Sequence, residues 1–268
     1  MRNLLFVLLA TTLTSPCMLA ADGQILINQA TVMASGGFPY TITQSGSYKL
    51  SGNLTVTNAN TDAIHVNADN VTIDLNGFSI VGPVICRGTP VTCNSNGTGT
   101  GVDAPSSTGV TVTNGSIRGM GAGVFLCCEG NTVDKVHAHY NGNIGIQVIG
   151  TVTGSTAVGN GAGAPGGGGI AGFGTISGDT ATSNVGFGFN VGGVVIGNYA
   201  SGNTSIGIEA RGAMLSGNAV NGNQTGVYAY CSGPSLNTLI VNNTVSGNVA
   251  NLFLAFGGGC VVTDNVVN

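Results

Sequence analysis

The feature that most constrains this chain is a repeat. A short phrase, often Gly followed by Ile or Val, one variable residue and then a small or apolar one, begins at Ile64, Val102, Val124, Ile146, Ile170, Phe189, Ile208, Val227 and Leu252. From Val102 onward the instances are 22, 22, 24, 19, 19, 19 and 25 residues apart. A second phrase, ending in Asn, keeps step with the first. It runs over 155–160, 179–184, 198–203, 218–223 and 243–248. Two registers advancing together define a solenoid, in which each repeat buries its apolar side only against its neighbours.

The coils must be β. Segments such as Val110-Thr-Val-Thr113 and Val71-Thr-Ile-Asp74 alternate with period two and are bounded by Gly or Asn, whereas no stretch sustains a helical period. A coil of roughly twenty residues with short strands and Gly/Asn corners closes into a prism. Its strands then pair in parallel with those one coil later, ~4.8 Å along the axis. Stacking sets like over like. The nine phrase residues should form one buried ladder, and Asn198, Asn218 and Asn243 an amide ladder. Glycines should serve the corners that need positive φ. The expected fold is all-β: a single-stranded, right-handed parallel β-helix of about nine coils. Residues 22–61 form an N-terminal cap region and 62–268 the helix, with a loop insertion near 83–100.

Composition narrows the function. Charged residues are only 6% of the chain, Gly numbers 47, Trp is absent and the net charge is −4. Six Lys and Arg in 268 residues leave no basic footprint for nucleic acid. Residues 1–21 read as a signal peptide: Arg2, an apolar run from Leu4 to Leu13, then Pro16 and a small-residue exit at Ala20 or Ala21. The run is too short to span a bilayer, so the expected location is secreted or periplasmic. Six cysteines remain beyond Cys17, and in an exported chain they suggest disulfides. Proximity favours Cys86–Cys93 and Cys231–Cys260, with Cys127 and Cys128 either a vicinal pair or reduced.

The segment Tyr40-Thr-Ile-Thr-Gln-Ser-Gly-Ser-Tyr-Lys-Leu50 resembles the cap strand of exported parallel β-helix repeat proteins of the pectin lyase-like superfamily. Asn70-Val-Thr-Ile-Asp-Leu-Asn-Gly-Phe-Ser-Ile80 resembles their first full coil. The resemblance implies the fold and a sugar polymer as the class of partner. A lyase of this kind would need clustered carboxylates for Ca²⁺ and a basic group that removes a proton. The ten acids look scattered, and no two exposed ones align on neighbouring coils as glycoside hydrolysis requires.

Two constellations remain. Lys135, His137 and His139 point outward side by side if Val136 and Ala138 point inward. Aligning Val112 with Val133 brings Arg118 beside His139. These four are the candidate catalytic residues, suited to a carboxylate-bearing sugar or to proton transfer by imidazole. The two His lack a third ligand, so no metal is expected, and nothing requires a cofactor. On another face, residues one past the aliphatic ladder stack Glu209, Tyr228 and Phe253, with Arg211 and Tyr230 two residues further on. These five are the candidate sugar-binding residues. Asp74, before Asn-Gly, reads as a turn cap. The leading expectation is a non-catalytic exported β-helix that contacts carbohydrate or an envelope surface through one long face. The alternatives are a polysaccharide lyase or hydrolase acting on an acidic glycan, and a structural spacer or adhesin. An open sheet edge at the last coil calls for a capping partner or an oligomer.

Overall fold

The computed structural model describes residues 23–161, 166–231, 237–255 and 259–268. The expected signal peptide lies outside the described residues. The rest is a parallel β-helix of about 11 turns. The count exceeds nine because strands Tyr40–Ile42 and Gly46–Leu50 already stack beneath the first phrase, Tyr40 on Ile64 and Tyr48 on Ile73.

The expected ladder forms in register. Ile64 pairs with Val102, and the column continues through Val124, Ile146, Ile170, Phe189, Ile208 and Val227 to Leu252. Ile64 through Val227 are fully buried, while Leu252, in the last of these coils, is only half-buried. Each coil has three walls, and this column lines the inside of the first. Val152, Ile176, Val195, Leu215 and Ile240 line the second. Ala138, Ala157, Ala181, Ala200, Val220 and Val245 line the third. Small Ala on the third wall leaves room for the large aliphatics opposite, which is how a narrow prism reaches interior packing density.

Two corner ladders hold the walls together, where the sequence reading named one. Between the second and third walls, Asn198 Nδ2 donates to Asn218 Oδ1 at 3.0 Å and Asn218 Nδ2 to Asn243 Oδ1 at 2.8 Å. After the third wall, Asn141, Asn160, Asn184, Asn203, Asn223 and Asn248 form an equivalent stack. Within it Asn203 is fully satisfied. Its Oδ1 accepts from Asn184 N and Nδ2, and its own Nδ2 donates to Ala181 O and Asn223 Oδ1. A buried amide can be retained only under such complete pairing.

The ladders explain the repeated Gly. A Cβ on Gly169 would meet Gly188 O at 2.5 Å and Asn184 Nδ2 at 2.9 Å. The phrase glycine therefore makes room for the amide stack rather than supplying a positive φ. Positive φ occurs one residue before the ladder Asn, as at Gly202 (62°), and Ser183 adopts the same conformation at 55°.

Residues 83–100 project as an antiparallel hairpin, Cys86–Arg87 with Thr92–Cys93, closed by the Cys86–Cys93 disulfide. Cys231–Cys260 is the second disulfide, and Cys127 and Cys128 are free thiols. Asp74 caps its turn as expected, accepting from Asn76 N at 2.8 Å. One helix was not expected from periodicity. Gln29–Ala34 is six residues long and is signalled only by a capping box between Asn28 and Thr31. Among the described residues no helix is long and apolar enough to cross a membrane.

Candidate functional site

On a strand, the residue after each first-wall ladder position points outward. Register therefore fixes one external column: Thr41, His65, Asp103, Phe125, Gln147, Ala171, Asn190, Glu209, Tyr228 and Phe253. From His65 to Phe253 it climbs eight coils, about 38 Å at the ~4.8 Å step of paired strands.

At its C-terminal end the five expected sugar-binding residues come together. Tyr228 stacks on Phe253 with centroids 4.9 Å apart and planes 17° from parallel. Tyr230 meets Tyr228 edge-on at 5.1 Å. Arg211 lies over the Tyr230 ring at 4.4 Å and donates to Glu209 Oε1 at 2.7 Å, and the Tyr230 hydroxyl donates to the same oxygen at 3.2 Å. The Glu209 bond pushes the Arg211 pKa up, so the guanidinium stays charged. The result is an aromatic platform with an internally neutralised polar edge. Next to it, Gln147, Ile149, Phe173, Asn190 and Arg211 help line a hollow of about 310 Å³ on the same wall.

At the N-terminal end two half-buried acids and a histidine meet, although no acid pairs with another in register. His65 Nδ1 and Asp103 Oδ2 are 2.9 Å apart, and Asp62, His65 and Asp103 each offer a ligand atom within 4.8 Å of the others. Asp62 also accepts from Thr100 N at 2.7 Å. Burial, and then the Asp62 charge, push the Asp103 carboxyl up, and the His65 contact opposes this. These three groups could hold a divalent cation or pass a proton. The rule that found Glu209 and Tyr228 also finds His65 and Asp103 when it is carried across the 38-residue gap from Ile64 to Val102.

The cationic cluster is looser than expected. Arg118 does pair with His139, as the Val112–Val133 alignment requires. Lys135, however, has φ 51°, so the strand turns a corner there and the period-two argument fails at that residue. Lys135 pairs with Asp134 at 3.3 Å, and His137 meets Thr156 Oγ1 at 2.6 Å. These two share a hollow with Asn114 and Ser116, while Arg118 lines a separate one with Arg87 and Tyr140. Burial, and then the Arg118 charge, lower the His139 pKa, which leaves that ring neutral at pH 7. Lys135 and His137 thus face one hollow and Arg118 another, on walls other than the aromatic one, and His139 lines neither.

Fold and face together define the class: a parallel β-helix protein with one long, aromatic-ended outer wall. No family model matches the sequence, and neither does any curated protein. Among solved structures the chain is similar to the Azotobacter vinelandii mannuronan C-5 epimerase AlgE4 A-module. The TM-score is 0.61 at 13% identity, covering 91% of this chain and 84% of that one. It is also similar to the Dettilon tailspike protein gp208, with a TM-score of 0.44 at 13% identity, covering 88% of this chain and 49% of that one. At such identities the likeness is one of fold.

Proposed function

We propose that this is an exported, non-catalytic β-helix protein that binds a carbohydrate polymer along the outer face of its first wall. The observation that carries this reading is the Tyr228–Phe253 stack joined to the Tyr230–Arg211–Glu209 cluster. Flat aromatic faces accept the C–H faces of sugar rings, and the adjoining polar groups take hydroxyls. The column is long enough for several sugar units in an extended chain. The similarity to the mannuronan C-5 epimerase module supports a polysaccharide as the partner class. Two disulfides support an oxidising location outside the cytosol. Replacing Tyr228 and Tyr230 together with Ala should weaken binding to a responsive polysaccharide at least tenfold by calorimetry. Unchanged affinity would refute the face.

One observation favours a second reading. The Asp62–His65–Asp103 group lies on the same wall and would suit proton transfer to a bound glycan. Under that reading the wild type releases shortened or altered products, and Asp103→Asn stops release while binding persists. The Arg118, Lys135, His137 and His139 set would serve an acidic glycan only if one chain crossed both hollows.

A further inference from the structure

Four residues, Cys127 to Gly130, lie between Leu126 and Asn131, where the next coil has only Ile149 between Val148 and Gly150. The extra length bulges outward at the edge of the first wall. It is anchored at its base, because buried Asn131 donates through Nδ2 to Cys128 O at 2.7 Å and to Ser107 O at 3.2 Å. At its start stand two adjacent half-buried thiols whose sulfurs are 2.8 Å apart. That is well inside ordinary van der Waals contact between sulfurs, and Cys127 also donates to Pro105 O. The other four cysteines among the described residues are already paired.

We propose that Cys127 and Cys128 are a thiol–disulfide exchange site, closing a vicinal disulfide that opens again under mild reduction. In the closing step an external low-molecular-weight disulfide is the oxidant. One cysteine thiolate attacks it and expels one thiol, and the second cysteine then attacks the mixed disulfide and expels the other. The two cysteines lose two protons and two electrons, the S–S bond forms between them, and the external disulfide leaves as two thiols.

Neighbouring Cα atoms are about 3.8 Å apart, below the usual disulfide range of roughly 4.4–6.8 Å. The closed pair is therefore strained and gives up its bond readily. Cys231–Cys260 spans 4.9 Å with Cys231 buried, so it resists the same reductant. The bulge adjoins the outer column at Phe125, so the redox state alters the surface beside the proposed glycan face. The chemistry does not depend on a glycan being bound there.

The test uses the whole chain equilibrated with oxidised glutathione, denatured, alkylated with N-ethylmaleimide and peptide-mapped. The expected peptide carries Cys127 and Cys128 without adducts and is lighter by two hydrogens. A graded dithiothreitol series should then make this pair alkylatable while Cys231–Cys260 remains intact. Two adducts after the oxidised incubation, or release of Cys231–Cys260 first, would overturn the assignment. Carrying the series through Tyr228→Ala keeps it separate from the carbohydrate reading, because the thiol result should not change.

Discussion

Asp179 occupies an Asn position in the first corner ladder, and replacing it with Asn should make the protein more stable at alkaline pH. The carboxyl is buried; its Oδ1 accepts from Ser155 N at 2.7 Å, and its own N–H donates to Asn198 Oδ1 at 2.9 Å. Its Oδ2 is buried with no hydrogen-bond partner. The ladder shows what belongs there. Asn198 Nδ2 donates to Ile176 O and Asn218 Nδ2 to Val195 O, each the residue three back and one coil earlier in the wall. For position 179 that acceptor is Val152 O, since Val152 pairs with Ile176. An ionised Oδ2 has nothing to donate, whereas a protonated one does. Burial raises the pKa from 3.8 to about 7, against the lowering effect of the Ser155 and Ser177 backbone bonds, and Asp134 adds to the rise.

The sign follows from proton linkage. Between pH 3.8 and about 7 the folded chain keeps a proton that the unfolded chain releases, so stability falls as pH rises through that window and stays low above it. The difference corresponds to about 4 kcal/mol at 1.36 kcal/mol per pH unit. Asp179→Asn keeps the donor at every pH. Urea unfolding of both proteins should show the variant ahead by about 4 kcal/mol at pH 8.5 and within about 1 kcal/mol at pH 4. A difference that does not vary with pH, or a less stable variant at pH 8.5, would refute the reasoning.

Three further outcomes follow from the same geometry. Asn203→Ala removes partners from Asn184 N, Asn184 Nδ2 and Ala181 O and should cost about 3 kcal/mol or more in denaturant unfolding. Ser183→Gly relieves a left-handed residue at a corner where Gly202 serves the next coil, and should raise the unfolding free energy by about 1 kcal/mol. Replacing Cys86 and Cys93 together with Ser should cost at most about 2–3 kcal/mol, since the closed loop is short. Circular dichroism should show the β-helix intact.

The register of the fold was legible because a solenoid repeats its inner column. Once Val102, Val124 and Ile146 align, every neighbour is placed, and that is why Tyr228 over Phe253 and Arg118 beside His139 both follow from spacing. What depends on a single backbone angle was not legible. Lys135 turns a corner in the left-handed region, and as a lysine it hides a turn that Asn114 and Gly154 mark on the coils either side. The role of Gly169 was hidden because close approach to an amide on another coil leaves no local trace. His65 and Asp103 were readable in principle, but the insertion broke the apparent period just where their coils meet. The bulge carrying Cys127 and Cys128 leaves no mark on the spacing, because the coil from Val124 to Ile146 has 22 residues, as has the one before it.

The central claim is that an aromatic wall with a neutralised polar edge binds a glycan. Titrating the wild type and the Tyr228→Ala/Tyr230→Ala variant against neutral and uronate polymers, at low and high salt, tests it most directly. Stacking does not depend on ionic strength, whereas exposed charges are screened beyond about 8–10 Å. The account predicts binding that is largely indifferent to salt and at least tenfold weaker in the double variant. Uronate binding that salt abolishes and the Tyr changes leave untouched would contradict it and move the site to Arg118, Lys135 and His137.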